Sequence, residues 1–170
     1  MQNHYTVLNI LLAKLLTLKN SKRVGVKEIA LITITHEYNP GYEKHVLYFY
    51  SKHDQIILPI NLYDNKIENI LSAAQKTFLP TQNIYNAAKT FVSLLKGKIT
   101  GVTIYAYKSG TYYSRVLLET VQNTFEIEVQ ITDALGLALA ANVPMYAQTS
   151  FLKDFGFQVT KELVRKAIDT

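Results

Sequence analysis

Residues 125–156, FEIEVQITDALGLALAANVPMYAQTSFLKDFG, decide how the chain folds. Phe125 to Ile131 alternates apolar and polar residues, which predicts a half-buried strand. Thr132 then stands where an N-cap is expected. Asp133 falls in the first turn, where a carboxylate suits the unpaired N–H groups and the positive end of the helix dipole. From Ala134 to Ala141 every residue is apolar or Gly. The run is too short to cross a bilayer, and a helix apolar on all sides is a buried one. Asn142 is placed to stop it in the left-handed conformation. Val143 to Ala147 predicts a short returning strand, and Thr149 to Phe155 a short helix ended by Gly156. The stretch is therefore strand, buried helix, strand, helix, with one acid at the mouth of the buried helix.

Working outward, Val24 to Thr35 is rich in β-branched residues and predicts a strand. Asn39-Pro40-Gly41 signals a turn, His45 to Tyr50 a second strand, and Ile56 to Ile60 a third. Asp64 to Thr77 has helical apolar spacing at Ile67, Ile70, Leu71 and Ala74, and Leu79-Pro80 breaks it. A second helix is expected after Thr81, with Ile84, Ala87, Ala88, Phe91, Val92, Leu94 and Leu95 on one broad side and Gly97 as its stop. Ile99 to Lys108 and Thr111 to Glu119 predict a hairpin around Ser109-Gly110. The expected fold class is α+β, a largely antiparallel mixed sheet with helices packed against it. Three parts are expected: an N-terminal amphipathic helix within residues 1–22, a main domain over 23–157, and a basic C-terminal helix within 158–170.

The order of acidic strand, Thr132-Asp133-Ala134, small-apolar helix and Val143-Pro144-Met145-Tyr146 resembles the bifunctional nuclease family, a domain credited with DNase and RNase activity. Leu58-Pro59-Ile60, Thr111-Tyr112-Tyr113-Ser114 and Phe155-Gly156 fit the same pattern, and the resemblance spans roughly residues 23 to 157. The family usually has Asp-x-Arg-Pro-Ser-Asp-Ala at the helix entrance. This chain keeps the two acids as Glu128 and Asp133 but has Gln130 for the Arg and Ile131 for the Pro. Where the family has a His-Asp pair at the start of the second helix, this chain has Gln82-Asn83. Asn61-Leu62-Tyr63 stands for Trp-Ile-Gly, and Lys66 falls near a family Glu. The resemblance implies a divergent metal-dependent hydrolase of DNA or RNA phosphodiesters. The alternative is a catalytically inactive module that binds nucleic acid or oligomerises on the same fold.

Composition narrows the chemistry. With 170 residues and no cysteine, the chain has room for one sizeable core but no disulfide, thiolate metal site or thiol nucleophile. The net charge of +5 is uneven. Residues 1–115 hold 14 basic and 6 acidic side chains, and residues 116–170 hold 4 and 7. A basic body can attract phosphates, although Lys-rich surfaces also arise from genome composition alone. Leu8, Leu11, Leu12, Leu15, Leu16 and Leu18 suggest an amphipathic helix rather than a signal peptide. A cytoplasmic protein is expected, with no membrane partner and self-association into a homo-oligomer.

The candidate catalytic residues are Asp133 and Glu128. Alternation puts Glu126 and Glu128 on one strand face, and convergence with Asp133 would suit a divalent cation, magnesium or manganese, that positions water at phosphorus. The specific metal ligands are unknown from sequence. The same residues have a plainer reading: Asp133 as a helix-start charge, the glutamates as the wet side of a strand. Candidate nucleic-acid contacts are Lys108, Arg115, Tyr112, Tyr113, Gln130, Gln82 and Asn83, because cations between aromatic rings hold phosphates and stack bases. Tyrosines also suit strand packing and subunit contacts. An amide at position 130 or 82 cannot do what a guanidinium or an imidazole does, so the fold can outlast the activity. The four histidines show no metal-ligand spacing.

Overall fold

β-branched and aromatic residues dominate the strands that build the molecule's one large sheet. The computed structural model describes residues 25–39, 42–63, 67, 70 and 84–160. The strands are β1 (Val26–Asn39), β2 (Tyr42–Ser51), β3 (Ile56–Leu62), β4 (Lys98–Lys108), β5 (Thr111–Glu119), β6 (Thr124–Val129), β7 (Met145–Gln148) and β8 (Phe157–Gln158). The described helices are α1 (Ile84–Leu94), α2 (Ile131–Ala141) and α3 (Thr149–Phe155). The eight strands run in the order β6-β5-β4-β7-β1-β2-β3-β8. Every adjacent pair is antiparallel except β4 with β7. The fold is α+β, as expected.

The sequence signals account for most of these elements. Ser109 and Gly110 both take positive φ, 50° and 81°, and Lys108 pairs directly with Thr111. That is a two-residue turn whose twist matches the flanking strands, and Gly110 meets no steric cost there. Asn142 ends α2 at φ 53° and ψ 48°, and the N–H groups of Asn142 and Val143 reach the carbonyls of Leu139 and Ala138. Inward residues Ile29, Leu47, Phe49, Leu58, Ile60, Val102, Ile104, Leu135 and Leu152 are all buried and form one core with α2 and α3. Ile67 and Ile70, the described residues of the helix expected over 64–77, are helical and buried. The expected helices of residues 1–22 and 161–168 lie outside the described residues.

Two expectations change and one strand is unforeseen. Thr132 is not the N-cap of α2: the helix starts at Ile131, Ala134 N–H donates to the Gln130 carbonyl at 2.9 Å, and Gln130 takes the cap position without a side-chain bond. Thr132 sits inside the first turn and is buried, because the chain passes from β6 into the helix with no loop between them. The short strand β8, paired to β3, carries no sequence signal of its own. Helix α1 does not turn all its apolar residues inward. Tyr85 is its buried residue, whereas Ile84, Phe91, Leu94 and Leu95 are 61–82% exposed. At 100° per residue these four form a second apolar face about a quarter-turn from the one that meets α2. No described helix is long and apolar enough to cross a membrane.

Candidate functional site

The pairing register divides the candidate residues between two sides of the sheet. Residues directly opposite in paired strands share a face, and neighbours along a strand alternate. In β5 and β6 the pairs Ser114–Val129, Val116–Ile127 and Leu118–Phe125 lie on one side. Ser114 and Val116 are buried there, under α2. The pairs Arg115–Glu128 and Leu117–Glu126 lie on the other. Glu126 and Glu128 therefore do share a face. Asp133 rides on α2, across the sheet from them.

On the outer face, Arg115 donates from Nη1 to Glu126 at 3.1 Å and from Nη2 to Glu128 at 3.4 Å. Its guanidinium also stands 4.2 Å from the centre of the Tyr105 ring. The Tyr105 hydroxyl donates to Glu128 Oε1 at 2.6 Å. That hydrogen bond first, and Arg115 after it, hold the Glu128 carboxyl below its ordinary value of 4.5. The same bond raises the Tyr105 phenol. Arg115 is thus occupied by two carboxylates rather than open to a phosphate. Tyr113 is exposed beside this cluster, 6.0 Å from Tyr105 between ring centres, and Lys108 is exposed at the hairpin tip.

Tyr112 belongs to the opposite face. Its ring lies 4.5 Å from Tyr107 and edge-on to Phe151, and its oxygen accepts the Asn61 N–H at 3.1 Å. Burial pushes its phenol up. It is a packing residue linking β5 to β3 and α3, not a platform open to a base. The four hairpin tyrosines therefore split, Tyr105 and Tyr113 outward, Tyr107 and Tyr112 toward α3.

At the mouth of α2, Asp133 Oδ1 accepts the Tyr85 hydroxyl at 3.2 Å. Tyr85 reaches it from α1 because Gly136, one turn further along α2, leaves the space that the Tyr85 ring occupies; a Cβ at Gly136 would collide with that ring. Asp133 and Gly136 are three residues apart on one helix face, so the ring and its hydroxyl engage both. Sequence reasoning named Asp133 but missed Tyr85. The available signal was Gly136, an isolated glycine in an apolar helix, which marks a close approach. Gln130, exposed and extended at the start of α2, lies between the two faces. Gln82 and Asn83 lie outside the described residues.

Glu126, Glu128 and Asp133 do not converge on one point, because β6 holds the first two on the side of the sheet away from α2. Among the described residues no group of three or more His, Asp or Glu side chains could hold a metal ion. His36 and His45 instead stack across β1 and β2, 4.5 Å between ring centres. His53 lies at the β2–β3 turn beside Lys27 and Asp54.

The model of the bifunctional nuclease domain matches residues 47–160, from within β2 to just past β8. No curated protein matches the chain. The match contains both tyrosine–carboxylate pairs and all of α1, α2 and α3.

Proposed function

The chain belongs to the bifunctional nuclease domain family, and from that premise we propose that it binds nucleic acid and hydrolyses phosphodiester bonds, with Asp133 orienting and deprotonating the attacking water. The observation that carries this reading is the Tyr85 hydroxyl on Asp133 Oδ1, 3.2 Å away at the entrance of α2. A carboxylate held by a buried phenol is oriented before substrate arrives, and a positioned general base contributes about 10²–10⁴-fold to rate. Magnesium or manganese, if bound, would supply charge at the phosphoryl oxygens. The described side chains do not by themselves form its cage. Tyr105 and Tyr113 offer outward rings for base stacking, with Lys108 near by for a phosphate. Glu128 is paired with Arg115 on that face, across the sheet from Asp133.

A second reading, a non-catalytic module that binds nucleic acid, is favoured by the neutral Gln130 at the helix entrance, which supplies no charge for a developing phosphorane. One experiment separates the two. Purified protein and Asp133→Asn are assayed on single- and double-stranded DNA and RNA, with and without magnesium or manganese. We expect wild-type cleavage to fall at least about a hundredfold in the variant while its fold is kept. Equal cleavage in both defeats the assignment of Asp133. Binding without cleavage in the wild type establishes the module.

We also propose that two copies associate through Ile84, Phe91, Leu94 and Leu95 of α1. The face is apolar and none of these four positions carries a charge, so two copies meeting across a two-fold axis would desolvate none there. Leu94→Lys is expected to shift the mass measured by light scattering to that of a monomer. A wild-type protein that is already monomeric at high concentration would end this part of the proposal.

A further inference from the structure

A cavity of about 440 Å³ opens at the far end of α2, nine residues along from Asp133. Three segments build it: the C-terminal half of α1, the first residues of β4, and the connection from α2 to β7. At 1.5 Å per residue it stands roughly 13 Å from the carboxylate at the helix mouth, so it is a separate site. Two lysines, Lys89 and Lys98, line it together with Val92, Ile99, Val143 and Asn142, and no lining residue is acidic.

The charges of these lysines are not cancelled. Lys98 stands opposite Glu119 in the β4–β5 register, yet among the described residues it makes no ion pair. Lys89 donates to the Ala140 carbonyl at 3.3 Å, a neutral acceptor. Two helices end here, and bare carbonyls would repel an anion. Most of those carbonyls already have donors: Asn142 and Val143 N–H reach Leu139 and Ala138, Lys89 reaches Ala140, and Leu95, Lys96 and Gly97 N–H reach Phe91, Ser93 and Val92. What remains is a pair of ammonium groups over apolar walls, with the Asn142 amide available for hydrogen bonding. Arg115, by contrast, is an outer-face cation already engaged by carboxylates.

We propose that this cavity binds a small organic phosphate, a phosphate monoester with an apolar or aromatic body the size of a nucleoside monophosphate. The phosphate lies between Lys89 and Lys98, and the body lies against Val92, Ile99 and Val143. A volume of this size falls within the ordinary range for small-molecule pockets, about 300–1,000 Å³. Ammonium groups bind a phosphate dianion as point charges, without a fixed fork geometry. The proposal does not depend on Asp133 or on catalysis.

The test is titration of the ¹⁵N-labelled protein with adenosine 5′-monophosphate, inorganic phosphate and adenosine at low salt. Wild type is compared with Lys98→Gln, Lys89→Gln, Lys98→Arg, Asp133→Asn and, as a distant control, Lys52→Gln. The monophosphate is expected to move the amide signals of residues 97–100 and 141–143 in a saturable way. Inorganic phosphate should act at the same amides but more weakly, and adenosine should bind at least about tenfold more weakly than the monophosphate. Lys98→Gln should weaken binding about tenfold, with Lys98→Arg recovering most of it, while Lys52→Gln and Asp133→Asn leave it unchanged. Well-dispersed spectra of each variant show that it has folded, and Lys98 is exposed and unpaired, so its loss removes no structural contact. Shifts that miss residues 97–100 and 141–143, equal binding of adenosine there, or wild-type affinity in Lys98→Gln would each overturn the proposal. Inorganic phosphate binding as tightly as the monophosphate would also overturn it, by removing any role for the apolar wall.

Discussion

The molecule makes the same contact twice, a tyrosine hydroxyl on a carboxylate, in two different settings. Tyr85 meets Asp133 from between two packed helices, and its own ring is buried. Tyr105 meets Glu128 on the outer face of the sheet, where the carboxylate is open to water and Arg115 joins from the side. The outer pair is shorter, 2.6 Å against 3.2 Å. Distance is nevertheless a poor guide to what each is worth. The outer contact competes with water and salt. The inner one is tied to packing that cannot be altered without moving a helix. The two should therefore respond to different perturbations, the inner pair to volume and the outer pair to pH.

The sharpest way to break the comparison is Gly136→Ala. The new methyl meets the Tyr85 ring, and overpacking of this kind costs about 1–3 kcal/mol even though alanine suits a helix interior better by about 1 kcal/mol. Denaturant unfolding should show the loss. Tyr85→Phe, which keeps the ring and removes the hydroxyl, should cost no more than about 1 kcal/mol. If both variants unfold at the wild-type midpoint, the inner contact is as loose as the outer one and the contrast fails.

The smaller expected effect concerns titration. Glu128 is held below 4.5, so any stability it contributes is present above the unfolded value and is lost as pH falls through the lowered folded value. Tyr105→Phe removes the first cause of that shift. The Glu128 carboxyl signal, followed by ¹³C NMR, should then titrate closer to the ordinary range, with the unfolding midpoint at neutral pH falling only slightly because the contact is exposed. A Glu128 titration identical in the variant would mean that Arg115 alone holds the carboxylate.

Much of the architecture was readable in single residues. The alternation in Phe125–Val129, the all-apolar run after Asp133, the left-handed stop at Asn142 and the Ser109-Gly110 turn are local signals, and each element formed where they stand. Thr132 shows where local chemistry loses. A good capping residue became an inward-facing one because the chain enters α2 straight from β6, leaving the cap position to Gln130. The Tyr85–Asp133 contact was half readable. Asp133 in the first turn of α2 is a local feature of a helix start; Tyr85 comes from 48 residues away, and nothing local pairs them.

The sequence by itself determined the α+β class, the described strands other than β8, the buried helix with an acid at its mouth, and the family pattern around it. These depend on periodicity, turn residues and composition, which act over a few residues at a time. The tertiary structure alone decided which side of the sheet each candidate occupies. Glu128 and Asp133 are five residues apart in the chain, but the strand-to-helix passage carries one to the outer face and the other onto the packed face. Arg115 was paired with glutamates by register rather than by sequence neighbourhood, and one apolar face of α1 was left open because α2 covers only the other. Register and helix docking depend on the whole core at once, so no window of sequence contains them.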